Sequence, residues 1–446
     1  MKSSRNYLWR CMILLFVPLL FLWAGCSDDT DPLPQTDGDE DAEVNSETDV
    51  DGDTDTDITE AEEEISAEEE SDPEPVVIPH DVAFTLEKSF TIVQGGGDHL
   101  AFPDVAKTAD GSLVLVYRRG SSHVDATGRI MKMFGEARGS IWFNEEVLYD
   151  VPDMDDRDPS ITTLPDGSLA VNYFQYLTQS MDGTTLSTHH IFYGTSGDGG
   201  ATFSTFEQVD PGDMEPPNPS RDSDGQWVDA EGESIIIEAS SAPVISYENE
   251  LLMPVYGGKA LNLTNLGAVP KSRITLYRSS DNGQTWQAEP VNRFDRPDAW
   301  LMEPAIIALD NGRMLMHIRT ALSSSPGSAG PIMQAISEDS GHTWSQWEEF
   351  DFTGHAPELY QLENGVVISA FRWINDAFTA ENVSFMYSTD RGDSWSELIE
   401  IEDCGAAECG YPGVMELDNG TVLMVYYGPG GNSIKGSIYS VEEVQE

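Results

Sequence analysis

Two stretches of the same design decide the fold: FPDVAKTADGSLVLVYR at 102–118 and EPAIIALDNGRMLMHIR at 303–319. A proline opens a short apolar strand, an Asp-Gly or Asn-Gly turn follows, and a second apolar strand returns. Such dipeptides between alternating apolar runs are the strongest short-range hairpin signal. A glycine follows the proline by eight residues at Pro103/Gly111, Pro159/Gly167, Pro304/Gly312, Pro357/Gly365 and Pro412/Gly420; a sixth copy at Pro243, in PVISYENELLMPVYG, lacks it. Successive prolines lie 56, 84, 61, 53 and 55 residues apart. A period of that size in an all-strand pattern predicts an all-β chain folded as a propeller, here with six blades.

A second repeat runs in phase with the first. SGDGGATF (196–203), SSDNGQTW (279–286), SEDSGHTW (337–344) and STDRGDSW (388–395) share the pattern S-x-D-x-G-x-[TS]-[WF], with a degraded copy near Gly139 to Trp142. An Asp that bonds the turn backbone, a Gly that supplies positive φ and an aromatic that packs between blades make a turn between two outer strands. These segments resemble the Asp boxes, or BNR repeats, of the sialidase (neuraminidase) superfamily. Each copy serves its own blade, so their aspartates are read as structural.

The ends of the chain carry a different message. Lys2, Arg5 and Arg10 precede a 13-residue apolar run, Cys11 to Trp23, interrupted by Pro18. A membrane span needs roughly 20 residues, and this shorter run suits a signal-peptide core. It ends in LWAGC, which resembles the lipobox of bacterial lipoproteins, although Trp23 stands where a small aliphatic is usual. That resemblance implies a signal peptide at 1–25 and a lipidated Cys26; an ordinary cleaved signal is the alternative. Ser27 behind it resembles lipoproteins sent on to the outer membrane. The expected location is the bacterial cell envelope, lipid-anchored at the outer membrane or cell surface.

Between 27 and 80 stand 23 Asp plus Glu and no Lys or Arg. Such a segment cannot bury enough apolar surface to offset its ordering entropy, so 26–80 is expected to be a lipidated, disordered acidic spacer. The stretch DVDGDTDTDITE alternates acids as a calcium loop does, but Gly52 is misplaced for the EF-hand turn.

The remaining 366 residues, 81–446, are read as one propeller domain and a monomer. They hold 56 acids against 20 basic residues, a net charge of −36. That excludes nucleic acid and anionic membrane as partners, leaving the lipid anchor as the only membrane contact. Cys404 and Cys409, in DCGAAECGYPG, read as a disulfide in an exported chain, since no nearby His completes a metal-ligand set. No metal and no cofactor is expected.

In a propeller blade the start of the first strand and the end of the second share one rim. The residues before the prolines, Phe102, Asp158, Ala242, Glu303, Ala356 and Tyr411, therefore face those seven positions beyond each turn glycine, Arg118, Phe174, Arg319, Arg372 and Tyr427. Three arginines in five equivalent slots far exceed what 14 arginines in 366 residues would supply by chance. In so acidic a domain they suggest a site for a carboxylate, which a guanidinium fork matches bidentately. Pairing of each arginine with an acid on a neighbouring blade is the alternative.

Here the resemblance to sialidases becomes residue-specific. That family holds its substrate carboxylate with three arginines, and its nucleophile is a tyrosine polarised by a glutamate, with a separate aspartate as acid/base. By position, the resemblance implies Glu303 as the glutamate, Arg319 and Arg372 as the second and third arginines, and Tyr411 as the nucleophile. The loop SSHVDATG offers Asp125 as the acid/base, with His123 beside it. The family's first arginine lies in an Arg-Ile-Pro motif opening the first blade, where this chain reads Ala101-Phe102-Pro103. Arg118, or Arg157 in DDRDPS beside Asp158, could supply that charge from the same rim.

The resemblance implies a retaining exo-glycoside hydrolase acting on a terminal acidic sugar such as sialic acid, with a glycan or glycoconjugate as substrate. Two other readings stand beside it: a non-catalytic carbohydrate-binding propeller, and a structural surface propeller. The segment 204–234, rich in Pro, Asp and Gly, is a partial lid over the site or a plain surface insertion. The loops carrying Lys259 and Trp373 reach the same side.

Overall fold

The computed structural model describes residues 78, 81–181, 184–209, 220–221, 227–228, 236–259, 272–291, 299–310, 312–322, 329–375 and 379–444. All belong to the second of two units into which the chain divides, Met1–Asp72 and Pro73–Glu446. The expected signal peptide, Cys26 and, apart from Ile78, the acidic spacer lie outside the described residues. So does most of the 204–234 segment.

The described chain is built of strands. A single 3-10 turn, Pro429–Gly431, is the one helical element among the described residues, and no helix there is long and apolar enough to cross a membrane. His99–Lys107, Leu113–Gly120, Arg129–Gly135 and Trp142–Tyr149 form an antiparallel meander, and Asp155–Thr163, Leu169–Met181, Thr184–Ser196 and Glu207–Gln208 form the next. A third sheet orders Ile236–Ala239, Glu250–Lys259, Ser272–Ser279 and Gln287–Val291, with Ile245–Tyr247 also on Glu250–Lys259. Seven strands from Ala299–Ala308 to Ile399–Gly405 follow in sequence order. Their long middle strand, Glu348–Gln361, pairs near its start with Pro331–Ser337 and through its second half with Val367–Ile374. The last large sheet joins both ends of the described domain, in the order Val82–Gln94, Ser433–Glu443, Thr421–Tyr427, Gly410–Glu416.

The proline–glycine repeat has one structural meaning in five hairpins. Proline has no N–H, so the ladder cannot run through it. The register skips the proline and the residue before it, from Ala101 to Asp104, Arg157 to Ser160, Met302 to Ala305, His355 to Glu358 and Gly410 to Gly413. Two residues then face one on the partner strand, a bulge that re-aims the side chain it carries. The residue before each proline is driven to positive φ: Phe102 56°, Asp158 48°, Glu303 49°, Ala356 48° and Tyr411 49°. Non-glycine residues held there store about 1–3 kcal/mol each, and such strain clusters at functional sites.

The copy at Pro243 breaks this rule, because Ala242 is not among the positive-φ residues. Its turn is Glu248-Asn249, at φ 47° and 68°, flanked by the pair Tyr247↔Glu250. Two central residues at positive φ make a type I′ hairpin, which replaces the missing glycine turn.

The Asp boxes are self-contained turns. In the copy at 279–286, Ser279 Oγ donates to Asp281 Oδ1 (2.8 Å) and accepts from Gly283 N (2.8 Å), while Thr285 Oγ1 donates to Asp281 Oδ2 (2.6 Å). Asp198, Asp339 and Asp390 repeat the pattern. Trp286 and Trp344 each donate Nε1 to the carbonyl of the box glycine and lie buried between sheets. In the degraded copy Trp142 still donates to Gly139 O (2.8 Å), so the aromatic half of the motif persists without its aspartate.

Candidate functional site

Five bulged residues and five slot residues meet at one rim, as strand register requires. The slot residues pair with the residue two before each proline: Ala101↔Arg118, Arg157↔Phe174, Met302↔Arg319, His355↔Arg372 and Gly410↔Tyr427. What differs is what each side chain finds there.

Tyr411 and Glu303 find each other. The phenol donates to Glu303 Oε1 across 2.7 Å, and Arg319 Nη1 donates to the same oxygen across 2.6 Å. Glu303 Oε2 accepts from the amide of Ala356 (2.9 Å), which fixes the carboxylate plane. Burial, and then the charge of Glu303, raise the Tyr411 pKa well above its usual value of about 10, with Arg319 and Arg372 opposing. At neutral pH the phenol keeps its proton and points it at a carboxylate able to accept it.

Arg372 lies between two tyrosines. Its guanidinium carbon is 5.5 Å from the Tyr411 ring and 5.6 Å from the Tyr427 ring, it donates to the Tyr427 hydroxyl, and Glu381 Oε2 is 3.6 Å away. Gly410 makes the arrangement possible. At φ 128° it has a conformation that suits glycine, and a Cβ there would lie 2.8 Å from Arg372 Cβ and 3.0 Å from Nε.

Arg157 also reaches the cluster. Its Nη1 donates to His123 O (3.1 Å) and Asp155 Oδ2 (3.2 Å), and its Nε lies 3.4 Å from Asp158 Oδ1. The guanidinium sits over Phe102 at 5.0 Å, and Phe102 packs edge-on against Tyr411 at 4.6 Å. Asp158 accepts from Ser241 Oγ (2.8 Å); burial raises its pKa against the pull of Arg157. Phe102, Asp158, Ser241 and Tyr411 line one small cavity, which continues to the buried carboxyls of Asp104 and Glu358.

Two expected site residues are engaged elsewhere. Arg118 has no exposed surface, donates Nε to Asp155 Oδ1 (2.7 Å) and Nη1 to Ser122 O (2.9 Å), and supports the 121–127 turn from beneath. It is a buried ion-pair residue. Asp125 caps its own turn, with five donors converging on its carboxylate from Ser121 Oγ, Ser122 N and Oγ, and Thr127 N and Oγ1. Partial burial pushes its pKa up, but the bonds from Thr127, Ser121 and Ser122 outweigh that and hold it well below the usual carboxylate range. A carboxylate so held does not carry a proton near neutral pH. His123, in the same turn, lies edge-on to Phe102 at 5.5 Å.

The structure adds residues that sequence reasoning left unassigned. His355 is buried two residues before Pro357; burial, then Arg319 and Arg372, push its pKa well below the usual value and keep it neutral. Its pairing with Arg372 follows from the same slot arithmetic that identified the arginine. Glu408 stands inside the loop closed by the Cys404–Cys409 disulfide and contacts His99 Nε2 (2.8 Å) and His123 Nδ1 (3.2 Å). Hydrogen bonds from His123 and His99 hold the Glu408 pKa well below its ordinary range. Lys259's side chain lies outside the described residues, and Trp373 is half-buried beside Arg372.

Comparison with known proteins agrees with this architecture. Residues 161–424 match the family described as BNR repeat-like domain. A curated sialidase of Paraclostridium sordellii is 23% identical over 180 residues, 34% of this chain, and the match spans 43% of that sialidase, less than half its length. Among solved structures, a protein of unknown function from Dyadobacter fermentans superimposes with a TM-score of 0.65 at 22% identity, over 80% of this chain and 99% of its own. A Hadza microbial sialidase does so at 0.57 and 15%, covering 80% and 68%, and a leech intramolecular trans-sialidase at 0.55 and 11%, covering 80% and 70%. Likeness at such identities shows the fold, here β-propeller-like. The family match covers more than half of the sequence, and the chain belongs to the BNR repeat-like family.

Proposed function

We propose that this protein is a retaining exo-glycoside hydrolase acting on a terminal acidic sugar such as sialic acid, built as a six-bladed propeller and held at the cell surface by a lipid on Cys26. The observation that carries the reading is the Tyr411–Glu303 hydrogen bond of 2.7 Å beside two arginines. A phenol is a poor nucleophile until a base takes its proton, and a neutral phenol avoids setting a carboxylate nucleophile against an anionic sugar. In the proposed reaction Tyr411 Oη attacks the anomeric carbon as Glu303 accepts its proton, and the glycosidic bond breaks with protonation of the leaving oxygen. Water then releases the sugar from tyrosine. Sialidases use this tyrosine exception to the two-carboxylate rule. Arg319 and Arg372 hold the substrate carboxylate, with Arg157 as the third cation.

The acid/base role is assigned to Asp125, which requires the 121–127 turn to open and release its five donors when substrate binds. The competing reading, a carbohydrate-binding propeller without turnover, draws on two observations: Ala101 where the family's first arginine would stand, and Asp125 turned into its own loop. A panel of fluorogenic glycosides, sialosides first and uronides second, separates the two. Hydrolysis with retained anomeric configuration supports the enzyme. Saturable glycan binding without release of fluorophore supports the binding module and overturns the catalytic reading.

A further inference from the structure

Three segments distant in sequence bring His99, His123 and Glu408 together beside the Tyr411 site. His99 opens the strand His99–Lys107, His123 rides on the 121–127 turn, and Glu408 stands within the disulfide loop. One ligand atom from each of the three lies within 4.8 Å of the other two, and Glu408 Oε1 is 2.8 Å from His99 Nε2 and 3.2 Å from His123 Nδ1. Each ligand is separately pinned. His99 packs against Gly431, where an added Cβ would come within 2.4 Å of the imidazole. The turn under His123 is tied by Asp125 and by Arg157, which bonds the His123 carbonyl. The Glu408 carbonyl accepts from Gly430 N at 2.7 Å.

We propose that these three residues form a binding site for a divalent transition-metal ion of the zinc class, with one coordination position left open. Two imidazoles and one carboxylate suit zinc, whereas calcium and magnesium take all-oxygen sets. Metal–ligand bonds of about 2.0–2.2 Å in tetrahedral array place donor atoms about 3.3 Å apart. The separations of 2.8 Å and 3.2 Å from Glu408 Oε1 need to widen by only a few tenths of an ångström. His123 and Glu408 keep 36% and 35% of their side-chain surface, which provides an entry path. Arg372 acts electrostatically on Glu408 and opposes a cation, but Glu381, 3.6 Å from Arg372, offsets part of that charge. Glu408 Oε1 accepts from both imidazoles, so the three groups already face one another.

The test is calorimetric titration of ZnCl2 into the full-length protein after chelator treatment and dialysis, with CaCl2 and MgCl2 as controls. The expected result is one zinc per chain at micromolar affinity or tighter. His123→Ala and Glu408→Gln should each weaken it at least tenfold, and Co²⁺ should give the visible absorption of a tetrahedral site. The double variant should keep the cooperative thermal unfolding of the metal-free protein, because His123 lies on a partly exposed turn. Loss of zinc binding in a variant that unfolds normally supports the site. No stoichiometric binding, or equal binding by the folded double variant, overturns it and leaves Glu408 as a hydrogen-bond acceptor alone.

Discussion

Tyr411 and Glu303, 108 residues apart, share a hydrogen bond of 2.7 Å because each precedes a proline and each is turned to positive φ by the bulge that proline forces. The same device on other strands presents Phe102, Asp158 and Ala356. A backbone rule thus becomes a side-chain constellation. The same register sets the slot beside each bulge, which holds Arg118, Phe174, Arg319, Arg372 or Tyr427, and of these Arg319 and Arg372 reach the constellation.

Arg372→Ala is expected to weaken binding of an acidic glycan and turnover together. A charge-assisted pair contributes about 1.5–3 kcal/mol, or roughly 10- to 150-fold in affinity. Titration of the free sugar acid against wild type and variant reads the effect. Equal affinities would remove Arg372 from the carboxylate site.

Arg118→Ala should act on stability and leave ligand specificity alone. It takes from Asp155, which is 1% exposed, one of its two guanidinium partners and leaves Arg157 on Oδ2 at 3.2 Å, so the loss should stay below the roughly 3–5 kcal/mol of stranding a buried charge altogether. Chemical denaturation should show that loss. A variant of wild-type stability with a selective loss of anionic ligand would return Arg118 to the binding site.

Burial raises the pKa of Asp104, to about 7, and burial followed by the Asp104 charge raises that of Glu358. A raised folded-state pKa contributes stability that is complete below the unfolded value near 3.8 and is lost as pH rises through about 7. Asp104→Asn should therefore flatten stability against pH between about 4 and 7, gaining relative to wild type at the alkaline end. Melting temperatures of both proteins at pH 5 and pH 8 test this. Parallel profiles would mean that Asp104 titrates normally.

Fold and site were legible in the sequence to different depths. The proline–glycine period gave strand order, and counting seven beyond the glycine gave the slot that pairs beside each bulge. Positive φ at Glu303 and Tyr411 was not legible, because those residue types disfavour it; it follows from where proline interrupts the ladder. Arg118 and Arg372 occupy the same slot with different fates, because Asp155 from the next sheet captures the first and two tyrosines flank the second. Asp125 looked like a loop acid, and only the count of local donors shows it to be the clasp of its own turn. Glu408 carried no signal of its own, since its role arises where three distant segments meet.

The most direct test is a comparison of wild type with Tyr411→Phe on one acidic glycoside, measuring turnover and binding of the product sugar in parallel. The substitution removes the oxygen proposed as the nucleophile and almost no surface. Turnover should fall to background with product affinity within about threefold of wild type, a difference under 1 kcal/mol. Undiminished hydrolysis by the Phe variant would place the chemistry elsewhere and rule out Tyr411 as the nucleophile.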